Sequence, residues 1–306
     1  MLICNGCGRH FPEVAGFADL RLAPDRYLDL ERERAKALAL SQYEKITNVH
    51  SLARIYYGMT DDVDQGRRDR YLTHIDGAEH RGEALATLLP RRGRILEVGC
   101  GAGGLLVAAK RRGLRIEGTD IASRWLVVAR RRLADVGMDV RLTVANAERL
   151  PWPDGAFDAL VADSVLEHLD DPAAALREWA RVVRPKGRLL VWSPNRHSLL
   201  ADPHVGLWAL GWLPHPWASR YVRWRRRCDW PLRLLSASEA GRLASRTGWG
   251  RVEVGPAVIP EHWASRGTGR AGVRFYRRVQ SLPIARQMLG RFGPLWQLDA
   301  LSEASR

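Results

Sequence analysis

Only four lysines occur among the 306 residues, although the formal net charge is +14. The positive charge is almost all arginine, a skew that a GC-rich genome produces without selection for any partner. The total alone therefore does not argue for nucleic acid. No run of 18 apolar residues is present, so a transmembrane helix is not expected. The N-terminus, MLICNGCGRHFPEV, lacks the charged start and apolar middle of a secretory signal, which predicts a cytoplasmic protein. Cysteine is scarce as well: Cys4, Cys7, Cys100 and Cys228 are too few and too scattered for a disulfide framework. Cys4 and Cys7 form a CxxC, half of a zinc-ribbon site. A second CxxC is missing, and His10 is the one further ligand nearby, short of the four that structural zinc takes. A small zinc knuckle and a metal-free remnant both stay open.

The remaining charge is unevenly placed. From Ser193 onward there are 18 arginines and 7 acidic residues, so this tail carries +11 of the net charge. A polyanionic or membrane-surface partner is consistent with that asymmetry.

Along the chain, residues 1–22 read as a small separate element. Residues 23–90 form a helical extension with a charged break at Thr60-Asp61-Asp62. From Arg94 the rhythm changes to short apolar strands alternating with helices. Strands are expected at 94–98, 114–119, 140–144, 157–162 and 187–192, with helices at about 105–112, 124–136 and 172–183 between them. That alternation implies parallel βαβ units in an open, doubly wound α/β sheet. Further on come a helix at 236–247, a sixth strand at 251–258 and a last one at 295–301. The expected fold is a Rossmann-like, seven-stranded, mostly parallel sheet filling residues 91–306. Insertions are expected after strand five (about 195–235) and strand six (about 259–293).

Gly99, Gly101 and Gly104 satisfy GxGxxG at the end of the first strand, and Asp120 lies about twenty residues on. Alone, this suggests a dinucleotide. Glu97, two residues before the first glycine, changes the balance: a carboxylate at that strand end repels a pyrophosphate. It suits S-adenosyl-L-methionine (SAM), which carries an ammonium and a sulfonium and no phosphate. The glycines still permit close backbone approach, and Asp120 suits two ribose hydroxyls.

Over residues 91–196 the chain resembles class I SAM-dependent methyltransferases, in the branch that includes the ubiquinone and menaquinone methylases. Leu96 to Gly103, including Glu97, Gly99, Cys100, Gly101 and Gly103, matches the first motif. Asp120-Ile121 matches the acidic end of the second strand. The stretch Asn146-Ala147-Glu148 through Phe157-Asp158 is similar to the third and fourth motifs. Val165-Leu166-Glu167-His168 matches the segment after the fourth strand, and Pro185 and Gly187 fit the turn before the fifth.

The resemblance implies SAM as cofactor. It also implies that Val165 to His168 pass near the methionine end, that Asp163 and Ser164 are among the cofactor-binding residues, and that Asn146 meets the adenine amino group through its carbonyl, where the branch usually has Asp. It makes His168 the candidate general base for a hydroxyl acceptor, or else a residue that orients SAM. In some ubiquinone-type O-methyltransferases a Glu three residues before the Glu-His pair completes a divalent-metal site. Ser164 stands there, so no metal is expected.

The insertion after strand five combines Trp208, Trp212 and Trp217 with Arg223-Trp224-Arg225-Arg226-Arg227. It reads either as a lid whose aromatics pack over the acceptor or as an interfacial helix on a membrane. His197, His204 and His215 lie in it, each more readily a surface histidine than a functional one. The leading function is methyl transfer to a small-molecule acceptor, most readily a phenolic, sugar or lipid-linked hydroxyl. Two alternatives stay open: an RNA methyltransferase using the basic tail, though no RNA-binding module is present and no nucleic acid is expected, and a non-catalytic SAM-binding scaffold.

Overall fold

The computed structural model describes residues 1–4, 6, 8–24, 27–60, 63–258 and 269–303. Cys7 of the CxxC and residues 259–268 of the second insertion lie outside the described residues.

The chain begins with two short antiparallel pairs, β1 (Leu2–Ile3) with β2 (His10–Phe11) and β3 (Glu13–Val14) with β4 (Phe17–Ala18). Four helices follow: α1 (Leu30–Glu44), α2 (Val49–Gly58), α3 (Gln65–Asp76) and α4 (Ala78–Leu88). The first three start where the sequence offers a short acceptor side chain. Asp29, Asn48 and Asp64 each accept a hydrogen bond from the backbone N–H three residues on. Then come β5 (Arg94–Val98), α5 (Gly104–Arg111), β6 (Arg115–Asp120), α6 (Ser123–Asp135), β7 (Leu142–Val144) and β8 (Phe157–Asp163).

After β8 the order is α7 (Pro172–Val182), β9 (Val183–Pro194), α8 (His215–Arg226), α9 (Ala237–Ser245), β10 (Trp249–Pro256), α10 (Gly269–Gln280), α11 (Pro283–Phe292) and β11 (Leu295–Ser302). Asp171 caps α7 with Pro172 in its first turn, and Ser236 and Glu239 form a reciprocal capping box on α9.

Seven strands pair in the order β10-β11-β9-β8-β5-β6-β7. β6 runs parallel to both β5 and β7, whereas β11 is antiparallel to both β9 and β10. The expected doubly wound α/β sheet is therefore the observed one. The strand order reverses at β5, and open α/β sheets hold ligands at the carboxyl ends of strands where this happens.

Two compact units divide the chain, Met1–Asp158 and Ala159–Arg306. In the first, the segment around Asp19 is tied to β7. Asp19 bridges Val144 in parallel, and Leu20 N–H donates to Val144 O at 2.9 Å, so the segment extends the sheet beside β7. A buried ion network holds it there. Asp19 receives both Arg21 and Arg34 at 2.7 Å, and Arg21 reaches on to Glu33 at 2.8 Å. Burial pushes the Asp19 carboxyl up, but the two arginines more than reverse this and hold it below the usual carboxylate range.

In the second unit, β11 alternates strictly between half-buried and buried positions, with Trp296, Leu298 and Ala300 inward. The insertion after β9 has a small core of its own, made of Val205, Leu207, Leu210, Ala218, Val222, Trp230 and Leu232. Four tryptophans of this insertion lie at the surface: Trp208, Trp212, Trp217 and Trp224 are 59%, 47%, 63% and 74% exposed. The aliphatic side chains and Trp230 already fill that core, which leaves these four indoles on the surface.

Candidate active site

The first unit builds the glycine loop. Glu97, one residue from the end of β5, is 4% exposed. After Val98 the chain must turn sharply, and Gly99, Gly101 and Gly103 all adopt left-handed φ, at 71°, 46° and 75°. Gly99 and Cys100 N–H both donate to Thr119 O, at 2.8 and 3.0 Å, which ties the loop to β6. The thiol of Cys100 is buried and, with Asp120 and Glu97 nearby, pushed well above its ordinary pKa, mainly by burial.

At Gly104 an added Cβ would lie 2.4 Å from the Ala78 carbonyl carbon. Only glycine lets α4 and α5 approach this closely. A Cβ at Gly101, by contrast, would meet nothing within 4 Å, so the outer face of the loop is open to a ligand. Arg132, 2% exposed, braces the loop from behind by donating to Ala102 O at 2.7 Å and to Ile75 O at 2.7 Å.

Asp120 ends β6. Its Oδ2 accepts from Gly101 N–H at 2.8 Å and its Oδ1 from Ala122 N–H at 2.9 Å. Burial raises its pKa, and these two backbone donors oppose the rise. Ile121 offers its carbonyl to Arg21 at 3.0 Å.

Asn146 departs from the expectation that its carbonyl meets adenine. Its Oδ1 accepts from Leu22 N–H at 2.9 Å and Ala23 N–H at 3.4 Å. The amide is thus committed to fastening the N-terminal segment, which sequence spacing could not reveal. Ala147 is buried and Glu148 half-buried in the same turn.

The second unit holds Asp163, Ser164 and His168. Ser164 has φ of 59°, donates its N–H to Trp192 O at 2.8 Å, and its hydroxyl to Asp163 Oδ1 at 3.1 Å. A single 3-10 turn, Leu166–His168, follows. Glu167 is fully buried there, and its Oε2 accepts from Ser193 Oγ at 3.0 Å. Burial drives its carboxyl up to about 7, against the lowering effect of His204 and Ser193.

The His168 ring packs edge-to-face on His204, with centroids 5.4 Å apart. His204 was the residue sequence reasoning undervalued. It comes from the insertion, where Asp202 Oδ1 accepts the N–H of His204 at 2.9 Å and that of Val205 at 3.0 Å. The Asp-Pro-His spacing is the signal that could have marked it. Burial works against protonating His204, but Asp202 and Glu167 outweigh it and raise its pKa. His197 and His215 do not join this group; they pack on Trp212 and Trp230.

The residues of the first unit are of a kind that fits SAM: a buried acid in Glu97, a glycine loop with an open outer face, and a second carboxylate, Asp120, at the end of β6. The family described as "Methyltransferase domain" matches residues 96–191. The ubiquinone/menaquinone biosynthesis C-methyltransferase UbiE of Laribacter hongkongensis is 34% identical over 172 residues, covering 51% of this chain and 67% of that protein. The chain belongs to the class I SAM-dependent methyltransferases. The ubiquinone biosynthesis O-methyltransferase of Alkalilimnicola ehrlichii is 35% identical over 164 residues, covering 50% of this chain and 66% of that one. The chain thus spans about two thirds of the length of these curated relatives. A solved SAM-dependent methyltransferase from Thermotoga maritima shares the fold at 21% identity, with a TM-score of 0.50 over 76% of this chain and 93% of that one.

Proposed function

We propose that the chain transfers the methyl group of SAM to a hydroxyl of a small molecule, of phenolic, sugar or lipid-linked type. When bound, SAM supplies a methyl group already activated on a sulfonium. Glu97 favours that cation over a phosphate-bearing cofactor, and Asp120 receives the ribose hydroxyls. A hydroxyl must shed a proton as it is methylated. The observation that carries the O-methyl reading is the pair of half-buried imidazoles, His168 and His204, beside the buried Glu167 carboxylate in the second unit, which can take it. His168, held against His204, accepts the proton at a ring nitrogen, a role typically worth about 10²–10⁴-fold in rate. The relative named as an O-methyltransferase supports this reading.

The acceptor is further proposed to be met at an anionic membrane surface. No described helix is long and apolar enough to cross a membrane. However, residues 203–228 contain five arginines and no acidic residue. Leu213, Trp217, Arg220 and Trp224 line one open groove beside α8. Arg223 is paired with Asp229, and Arg226 is spent on the Val205 carbonyl. Arg220, Arg225 and Arg227 stand exposed among the indoles, suited to lipid phosphates.

Two measurements test this reading. Labelled SAM with phenolic, sugar and prenylated acceptors is expected to yield an O-methyl product. His168→Ala should lower kcat by about 10²-fold or more while SAM binding holds. Turnover with amine or carbon acceptors alone would refute the hydroxyl assignment. Sedimentation with phosphatidylglycerol vesicles, but not phosphatidylcholine ones, is expected, and it should be lost in Trp217→Ser/Trp224→Ser. Protein that stays in the supernatant with both would remove the membrane from the account.

A further inference from the structure

We infer that Glu167, His168 and His204 form a binding site for a divalent transition-metal ion of the zinc or cobalt type. One ligand atom from each of the three lies within 4.8 Å of the others. Two imidazoles and a carboxylate are donors that suit such ions better than magnesium, which prefers oxygen alone. About 3.4 Å separates two ligand atoms bound ~2.1 Å from one tetrahedral ion, so the side chains need close by little more than an ångström.

Three further observations point the same way. Glu167 is fully buried, yet its Oε1 has no hydrogen-bond partner. His204 Nδ1 and Asp202 Oδ2 are also buried without one. Buried polar groups are seldom left so, and of these three the Glu167 oxygen is the one placed to ligate. Second, His204 Nδ1 lies 3.6 Å from Asp202 Oδ1, a charge contact longer than a hydrogen bond. That leaves Nε2 for an ion and puts a carboxylate behind the ligand, the arrangement that orients metal-binding histidines. Third, two carboxylates, Glu167 and Asp202, are buried in one place with two imidazoles.

The ligand set is not legible in the motif. Ser164 removes a carboxylate before the Glu-His pair, and the third ligand arrives instead from 36 residues beyond His168, in the insertion. For its binding the ion depends on nothing else in the account. For its use it rests on the hydroxyl reading: an acceptor oxygen bound to the ion would lose its proton more readily, and the proton-accepting role given to His168 above belongs to the metal-free form.

The experiment is a cobalt titration of the full chain, followed by its visible absorption and by calorimetry. It is done in a Cys4→Ser/Cys7→Ser background, so that thiolates do not contribute. One equivalent of Co2+ with tetrahedral-type absorption is expected, displaced by Zn2+. Affinity should fall at least 100-fold in Glu167→Gln and in His204→Ala, and about 10- to 100-fold in Asp202→Asn. SAM binding, measured in parallel, reports that each variant is folded. No saturable cobalt binding, or binding that survives His204→Ala unchanged, would overturn the site while leaving the SAM assignment intact.

Discussion

Asp120→Ala is expected to weaken SAM binding by about 100-fold or more, with little loss of fold. A carboxylate that accepts two ribose hydroxyls makes two charge-assisted hydrogen bonds, each worth about 1.5–3 kcal/mol. Even the lower figure for both together exceeds the ~2.7 kcal/mol that a hundredfold change in affinity requires. The same side chain also shapes the loop, since Oδ2 holds Gly101 N–H and Oδ1 holds Ala122 N–H. Its removal therefore takes away a ligand contact and the order of the glycine turn together. Asp120→Asn keeps one carbonyl acceptor and should lose less, about tenfold. Calorimetry of both variants checks this. Equal affinity in wild type and Asp120→Ala would mean that the ribose is held elsewhere.

The second large effect concerns stability. Glu33, on α1, is fully buried. Its Oε2 accepts from Arg21 Nη1 at 2.8 Å and Ser123 Oγ at 2.6 Å, and its Oε1 from Arg124 N–H at 3.0 Å and Arg124 Nη1 at 3.2 Å. This one carboxylate joins the N-terminal segment, the first helix and the start of α6. Glu33→Ala would leave the Arg124 guanidinium, 7% exposed, without its carboxylate. Breaking a buried pair from one side costs about 3–5 kcal/mol. Urea unfolding should show a lower midpoint with an unchanged slope. Because Arg21 also holds the Ile121 carbonyl, SAM affinity is expected to fall as well. A midpoint within error of wild type would show that the network contributes nothing net.

The sheet was legible because its strands are short apolar runs punctuated by glycine and proline. Arg94–Val98 was expected and is observed without change, β8 and β11 extend by one residue at an end, and β6 shifts by one residue at both. Local chemistry decides these elements, so local reading finds them. What sequence reading missed are contacts between segments far apart in the chain. Asn146 meets residues 22–23, 123 or more positions away, and nothing in its motif says so. His204 meets Glu167 and His168 because the insertion has a core of its own that places it. Trp208, Trp212, Trp217 and Trp224 illustrate the opposite limit: an apolar residue can face inward or outward, and composition does not distinguish the two. The glycine loop was read correctly as a loop, but the partner that braces it, Arg132, looked like one arginine among many.

The most direct test of the central claim is calorimetry of the unmodified chain with SAM and S-adenosylhomocysteine, with NADH as the control. The account predicts saturable micromolar binding of both sulfur nucleosides and none of NADH. Binding of NADH without SAM would contradict it, because Glu97 beneath the glycine loop would then have to tolerate a pyrophosphate.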